Sequence, residues 1–142
     1  MRAVLLVAAI TAVVGFFALR SEASHLRCHT GNALGFVSIR SDPAELVGQI
    51  PSRFTSDVGY FSSRYNCTGQ NVQARRVDQG VYDVRFPGLV VRVAVADAIS
   101  TEGISTSVQL LGDGMVRVSL RGPLGGSDVA SRRDVAFNVV IY

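Results

Sequence analysis

Gly80-Val81-Tyr82-Asp83-Val84-Arg85-Phe86-Pro87-Gly88 holds one complete strand between two punctuation marks. In an extended chain Tyr82, Val84 and Phe86 fall on one face and Val81, Asp83 and Arg85 on the other, the period-two pattern of a half-buried strand. Gly80 opens it and Pro87-Gly88 closes it. Upstream, Val72 to Val77 reads as its hairpin partner, with Asp78-Gln79-Gly80 as a three-residue loop that places glycine where left-handed backbone is needed. Downstream, Pro87-Gly88 fits a type II turn. That twist suits a tight hairpin poorly, so the next strand is expected to cross to a second sheet.

The same pattern extends in both directions. Leu89 to Ala96 alternates Val91, Val93 and Val95 against Arg92, Ala94 and Ala96. Ser105 to Leu111 and Met115 to Arg121 flank Gly112-Asp113-Gly114, with Val116, Val118 and Leu120 sharing a face. Asp134 to Tyr142 is the last strand, with Val135, Phe137, Val139 and Ile141 inward; Leu34 to Arg40 is the first, with Val37 and Ile39 together. About seven short strands separated by turn signals predict an all-β fold, an antiparallel β-sandwich or small barrel. Asp42-Pro43-Ala44-Glu45 is a capping box and predicts one short helical turn near 43–48, cut off by Gly48 and Pro51. Residues 52–69 lack a clean period. They carry Phe54, Tyr60, Phe61 and Tyr65, and are expected to form a long ordered loop or one irregular strand. Such loops are where binding concentrates, although the same aromatics could simply cap the open end of the sheet.

The chain has 142 residues, the size of one domain. Residues 1–23 combine Arg2, an apolar run from Ala3 to Leu19, and small residues at Ser21 and Ala23, which reads as a secretory signal peptide. The rival is a retained membrane anchor, at the short limit for spanning a bilayer and with Arg20 on the disfavoured flank. Residues 24–142 then form a single β domain, an irregular arm and loop over 24–71 and regular strands over 72–142. All 14 basic residues are arginine, and the formal net charge is +3. Without lysine there is no Walker phosphate lysine, Schiff base or lysine general base.

Cys28 and Cys67 are the two cysteines, and an even count in an exported chain reads as one disulfide. It would close a loop of about 40 residues, for which chain entropy gives roughly 4 kcal/mol. The competing reading is a metal site at His25, Cys28 and His29, but structural zinc needs a fourth ligand that is not evident. Attachment of c-type haem would need a cysteine where His25 stands, so no cofactor is expected. Asn66-Cys67-Thr68 matches a glycosylation sequon around a cysteine expected to be oxidised.

No catalytic constellation stands out. There is no Gly-x-Ser-x-Gly elbow, both histidines sit in the N-terminal arm, and the aspartates at 42, 78 and 113 occupy turns for local backbone reasons. The run at 80–88, the valine-rich strand after it, Gly-Asp-Gly-Met-Val-Arg-Val at 112–118 and Asp-Val-Ala-Phe-Asn-Val-Val-Ile-Tyr at 134–142 resemble exported bacterial proteins of actinobacterial type and uncharacterised function. In that group a Gly-x-Tyr-x-Val-x-Phe strand and a closing Asp-x-x-Phe-x-Val-x-Val strand recur. The likeness covers Val72 to Tyr142 and implies an extracellular β domain, without implying an activity. Members often carry a cysteine in the strand after the first motif; this chain has none there, so no family disulfide pattern is carried over.

The expected function is therefore a non-enzymatic exported or cell-surface domain acting in adhesion, assembly or binding. The alternative is an exported hydrolase or enzyme inhibitor using the 52–69 loop. Two partners suggest themselves. The last strand, if exposed, could complete a neighbour's sheet by strand addition to a second copy. Arg75-Arg76, Arg132-Arg133, Arg85, Arg92, Arg117 and Arg121 could form a positive stripe for an anionic envelope polymer, or merely guard exposed β surface. Nucleic acid is not expected, and membrane contact only if the N-terminal segment is retained.

Overall fold

The structure is a computed structural model that describes residues 28, 33–40, 49–100, 103–123 and 132–142. The signal segment 1–23, His25, His29 and the helical turn expected near 43–48 lie outside the described residues. From Ala33 onward the chain forms an antiparallel sandwich of two four-stranded sheets, with no closed barrel. Among the described residues the strands are β1 (Gly35–Ile39), β2 (Phe61–Asn66), β3 (Gln73–Asp78), β4 (Val81–Arg85), β5 (Ala94–Ala98), β6 (Ser105–Gly112), β7 (Met115–Arg121) and β8 (Phe137–Ile141). The first sheet has the order β2-β1-β8-β5 and the second β3-β4-β7-β6.

The two inner faces follow the alternation in the sequence. Val37 and Ile39, Tyr82, Val84 and Phe86, Val116, Val118 and Leu120, and Phe137, Val139 and Ile141 are all buried. The Tyr82 and Phe137 rings meet across the interior with centroids 5.2 Å apart. The Asp113-Gly114 loop joining β6 to β7 has positive φ at both residues, 49° and 69°, the type I′ geometry whose twist matches the flanking strands. A Cβ on Gly114 would lie 2.2 Å from the Phe86 carbonyl oxygen, so backbone passes where no other residue fits. Leu89 N–H donates to the Phe86 carbonyl across Pro87-Gly88, with Gly88 at φ 79°. That is the type II turn expected, and β5 does cross to the first sheet.

Four expectations need correction. The stretch 52–69 is neither wholly loop nor wholly strand. Thr55 exchanges two backbone bonds of 2.9 Å with Ala74, strapping 51–55 along the β3 edge; a 3-10 turn follows at Val58–Tyr60, and then β2. The hairpin loop after β3 is Gln79-Gly80, because Asp78 still pairs with Val81 through a register shift. The fifth strand begins at Ala94 and not at Leu89, and it turns its alanines inward while Val93 and Val95 point out at 53% and 57% exposure. The Thr106 hydroxyl of β6 donates to the Ala96 carbonyl at 2.9 Å, so the second sheet's edge strand lies against the alanine-bearing side of β5. Finally, β8 is not an edge. It pairs with β1 on one side and β5 on the other, so the last strand is unavailable for strand addition.

Candidate functional site

Strand geometry decides what the outer face of the second sheet presents. In β3, β4 and β7 the residues between the buried positions point away from the core. The pairings Arg75↔Asp83, Asp83↔Arg117 and Arg117↔Gln109 therefore line up one row across all four strands. Asp83 sits at its centre with no exposed surface. Arg75 donates to its Oδ2 through Nε at 3.0 Å and Nη2 at 2.7 Å, and Arg117 reaches Oδ1 through Nε at 2.7 Å and Oδ2 through Nη2 at 3.1 Å. Burial alone pushes the Asp83 pKa up, but hydrogen bonds from Arg117 and Arg75 outweigh it and hold the carboxyl below the usual aspartate range.

The expectation of a half-buried strand at 80–88 thus fails on its polar side. Asp83 faces outward, as the alternation predicts, yet two arginine side chains roof it over. Two further arginines share the face. Arg85 lies one register step along β4, and Arg121 follows Arg117 along β7; among the described residues neither makes a salt bridge. Phe54, held on the β3 edge by the 51–55 strap, packs beneath Arg75 at 4.7 Å and Arg85 at 5.9 Å from its ring centroid. Its π face favours the cations and fixes their stems. Four arginines against one carboxylate leave this face strongly positive.

Other arginines of the expected stripe do different work. Arg76 points to the sandwich margin and pairs with Asp134 at 2.7 Å, and Arg132 pairs with Asp78. Asp134 also accepts from the Gly80 N–H at 2.7 Å and from the Tyr82 hydroxyl, tying β8's approach in the first sheet to the β3–β4 hairpin of the second. Burial, then the Asp134 hydrogen bond, push the Tyr82 pKa well above its ordinary range. Burial pushes Asp134 up, and bonds from Arg76, Tyr82 and Gly80 more than reverse that. Arg92 is exposed ahead of β5.

The four aromatics of 52–69 are not brought together. Phe61 is in the core, and the Arg64 guanidinium lies 5.2 Å from its ring centroid; Tyr60 is half-buried. Tyr65 stacks on Phe36 at 5.9 Å on the outer face of the first sheet, far around the sandwich from Phe54. There Tyr65, Phe36, Val140 and Val95 form an apolar row across all four strands. A cleft of about 180 Å³ beside β2 is lined by Arg64, Tyr65, Gln70 and Asn71 among others, with no carboxylate, histidine, serine or threonine in its wall.

Cys28 and Cys67 form the expected disulfide, which removes Cys28 as a thiolate ligand. Among the described residues no group of three or more acidic, histidine or cysteine side chains could hold a metal. The Asn66 sequon is closed from within. Asn66 is buried, its Nδ2 donates to the Pro87 carbonyl at 3.0 Å, and its Oδ1 accepts from the Thr68 N–H and hydroxyl, so the nitrogen a glycan would need is occupied. No helix among the described residues is long and apolar enough to cross a membrane. No family model, curated protein sequence or solved structure matches the chain.

Proposed function

We propose that this is an exported, non-enzymatic binding module whose arginine-bearing sheet face takes an anionic polymer of the cell envelope. The observation that carries the reading is the concentration of Arg75, Arg85, Arg117 and Arg121 on one face with the single, roofed-over Asp83. The excess there is three positive charges, which equals the formal excess of the whole chain. Adjacent strands are about 4.8 Å apart and alternate residues of one strand about 7 Å apart, so the guanidinia sit at intervals suited to repeated phosphate or carboxylate groups. Asp83 and Phe54 hold Arg75 and Arg117 in fixed positions, which lowers the ordering cost of contact. The disulfide fits an oxidising compartment and supports export.

The test is binding of the full domain to immobilised poly(glycerol phosphate) and polygalacturonate, with neutral dextran as control. Both polyanions should retain the protein at about 0.05 M salt and release it by about 0.5 M as screening sets in. The Arg85→Ser/Arg121→Ser variant, which touches no salt bridge among the described residues, should bind about tenfold more weakly or worse, since an arginine near an anionic surface contributes about 1 kcal/mol. Absence of retention at low salt, or equal retention of the variant, would sink the reading.

A further inference from the structure

Each of the four sheet edges meets the problem of unpaired backbone groups differently. The β3 edge is covered by the 51–55 strap, with Thr55 bonded to Ala74 and the Arg76 N–H donating to the Pro51 carbonyl at 3.0 Å. The β2 edge carries Arg64 and a register shift beside Ser38. The β5 edge is five residues long, carries Asp97, and has the Ala96 carbonyl taken by Thr106. β6 has none of these devices along most of its length. It is an eight-residue strand, Ser-Thr-Ser-Val-Gln-Leu-Leu-Gly, without a charge or a proline, and its only irregularity is the register shift at its β7-hairpin end. On the side away from β7 it pairs with no strand among the described residues. Leu110, on its core-side face, is still 43% exposed at this open margin.

We propose that β6 is a seam on which a second copy of this chain pairs, strand against antiparallel strand, about a two-fold axis normal to the sheet. The choice of occupant follows from the charge pattern. In an isologous antiparallel pairing a strand meets its own sequence reversed, so any charge near its centre would face a like charge. The chain distributes 25 charged residues, and this strand carries none of them. With the axis at Val108, Ser107 faces Gln109 of the second copy and Thr106 faces Leu110 of the second copy, which covers that leucine. The two second sheets become one eight-stranded sheet. A two-fold normal to the sheet keeps both arginine faces on the same side, so their repulsion opposes the pairing and salt relieves it. Strand pairing over eight residues falls at the small end of specific interfaces, below about 1,200 Å² in total, which makes the dimer weak and concentration-dependent. The inference does not rest on the polymer reading: the pairing follows from the edge and charge pattern of β6, and only its salt dependence draws on the arginine face.

The experiment is sedimentation of the full domain from about 10 μM to about 1 mM, with amide exchange over 105–111 at both ends of the range. The unmodified protein should pass from monomer to dimer, more readily at about 0.5 M than at about 0.05 M salt, with exchange over 105–111 slowing as it does. Ser107→Lys/Gln109→Lys and Ser107→Glu/Gln109→Glu alter only exposed side chains, and each variant alone should stay monomeric while still melting cooperatively, the lysine pair a little lower because Gln109 faces Arg117. Mixed together, the two should restore the dimer, because lysine then faces glutamate at both positions. A monomer at every concentration overturns the proposal and leaves the edge to a heterologous extended peptide. A dimer that both variants form undiminished overturns it as well, by moving the contact elsewhere, such as the apolar face of the first sheet.

Discussion

The outer faces of the two sheets are built on the same four-stranded antiparallel frame and dressed in opposite ways. One row of the second sheet reads Arg75, Asp83, Arg117, Gln109 from edge to edge; the corresponding row of the first reads Tyr65, Phe36, Val140, Val95. Charge on the second sheet is organised by a carboxylate that has given up all contact with solvent, so the row behaves as a unit. The residues of the first are held by stacking and by ordinary β geometry, and each touches water by itself. Exposure alone therefore does not rank the two faces, because the more buried row is the one built from ions. What separates them is how much each side chain depends on its neighbour.

The largest effect should come from Asp83→Ala, which leaves Arg75 and Arg117 side by side without their shared anion. Removing one partner of a fully buried ion pair costs about 3–5 kcal/mol; here the arginine side chains keep about a third of their surface in solvent, so about 2 kcal/mol is expected. In a domain of this size that is a drop of roughly 8 °C in melting temperature. The acid limb of the stability curve checks the cause. A carboxyl whose folded pKa is depressed stabilises fully above its unfolded value, near 4, and the contribution is lost as pH falls through the lower folded value. Asp83→Asn should accordingly flatten the loss of stability below about pH 4. A variant that melts within 0.5 kcal/mol of the parent, an ordinary surface result, would mean that solvent and not Asp83 organises the row.

Asp134 offers an intermediate case, since it leads into β8 of the first sheet and is held by Arg76, Gly80 and Tyr82 of the second. Tyr82→Phe removes the hydroxyl's bond to Asp134 and leaves the ring in place against Phe137, for an expected loss of about 1 kcal/mol. Because the folded pKa of the phenol is raised, its contribution is present below the unfolded value of about 10 and is lost as pH climbs above it. Alkaline ultraviolet titration of the native protein should show one phenol that ionises only on unfolding, a step missing from the variant. If the step persists in Tyr82→Phe, the shielded phenol is another tyrosine and the inter-sheet latch is wrongly placed.

Most of the frame was legible because it depends on alternation, and alternation is local. Val116, Val118 and Leu120, or Phe137, Val139 and Ile141, announce their inner face whatever they pack against. Errors arose where a neighbour distant in sequence decides. Ala94 and Ala96 are less apolar than Val93 and Val95, and it is the pairing of β5 with β8 and the contact of Thr106 with Ala96 that set which side of β5 faces the second sheet. Asp83 reads as a solvated charge until β3 and β7 deliver an arginine to either side of it. β2 was hidden because its inward positions include Arg64 and Asn66, whose partners, the Ser56 carbonyl and the Pro87 carbonyl, are set by tertiary contact. The arginine face itself was half visible. Arg75, Arg85, Arg117 and Arg121 stand on outward positions of legible strands, and what could not be read was that Arg76 and Arg132 leave the stripe for Asp134 and Asp78.

The smallest effect is expected on the first sheet, and it bears most directly on whether the two faces differ in kind. Val93 and Val95 are each more than half exposed, and on the described structure nothing lies over them. Val93→Thr/Val95→Thr keeps the β-branched shape and strand propensity while making the patch wettable. If the face is free, neither transfer free energy nor packing changes much, and stability should move by less than about 0.5 kcal/mol. A loss well above 1 kcal/mol would show that the valines are covered in the working protein, because only burial makes a hydroxyl in place of a methyl costly. The apolar row would then be a buried contact held together by its neighbours, as the arginine row is, and the contrast between the faces would be one of chemistry alone.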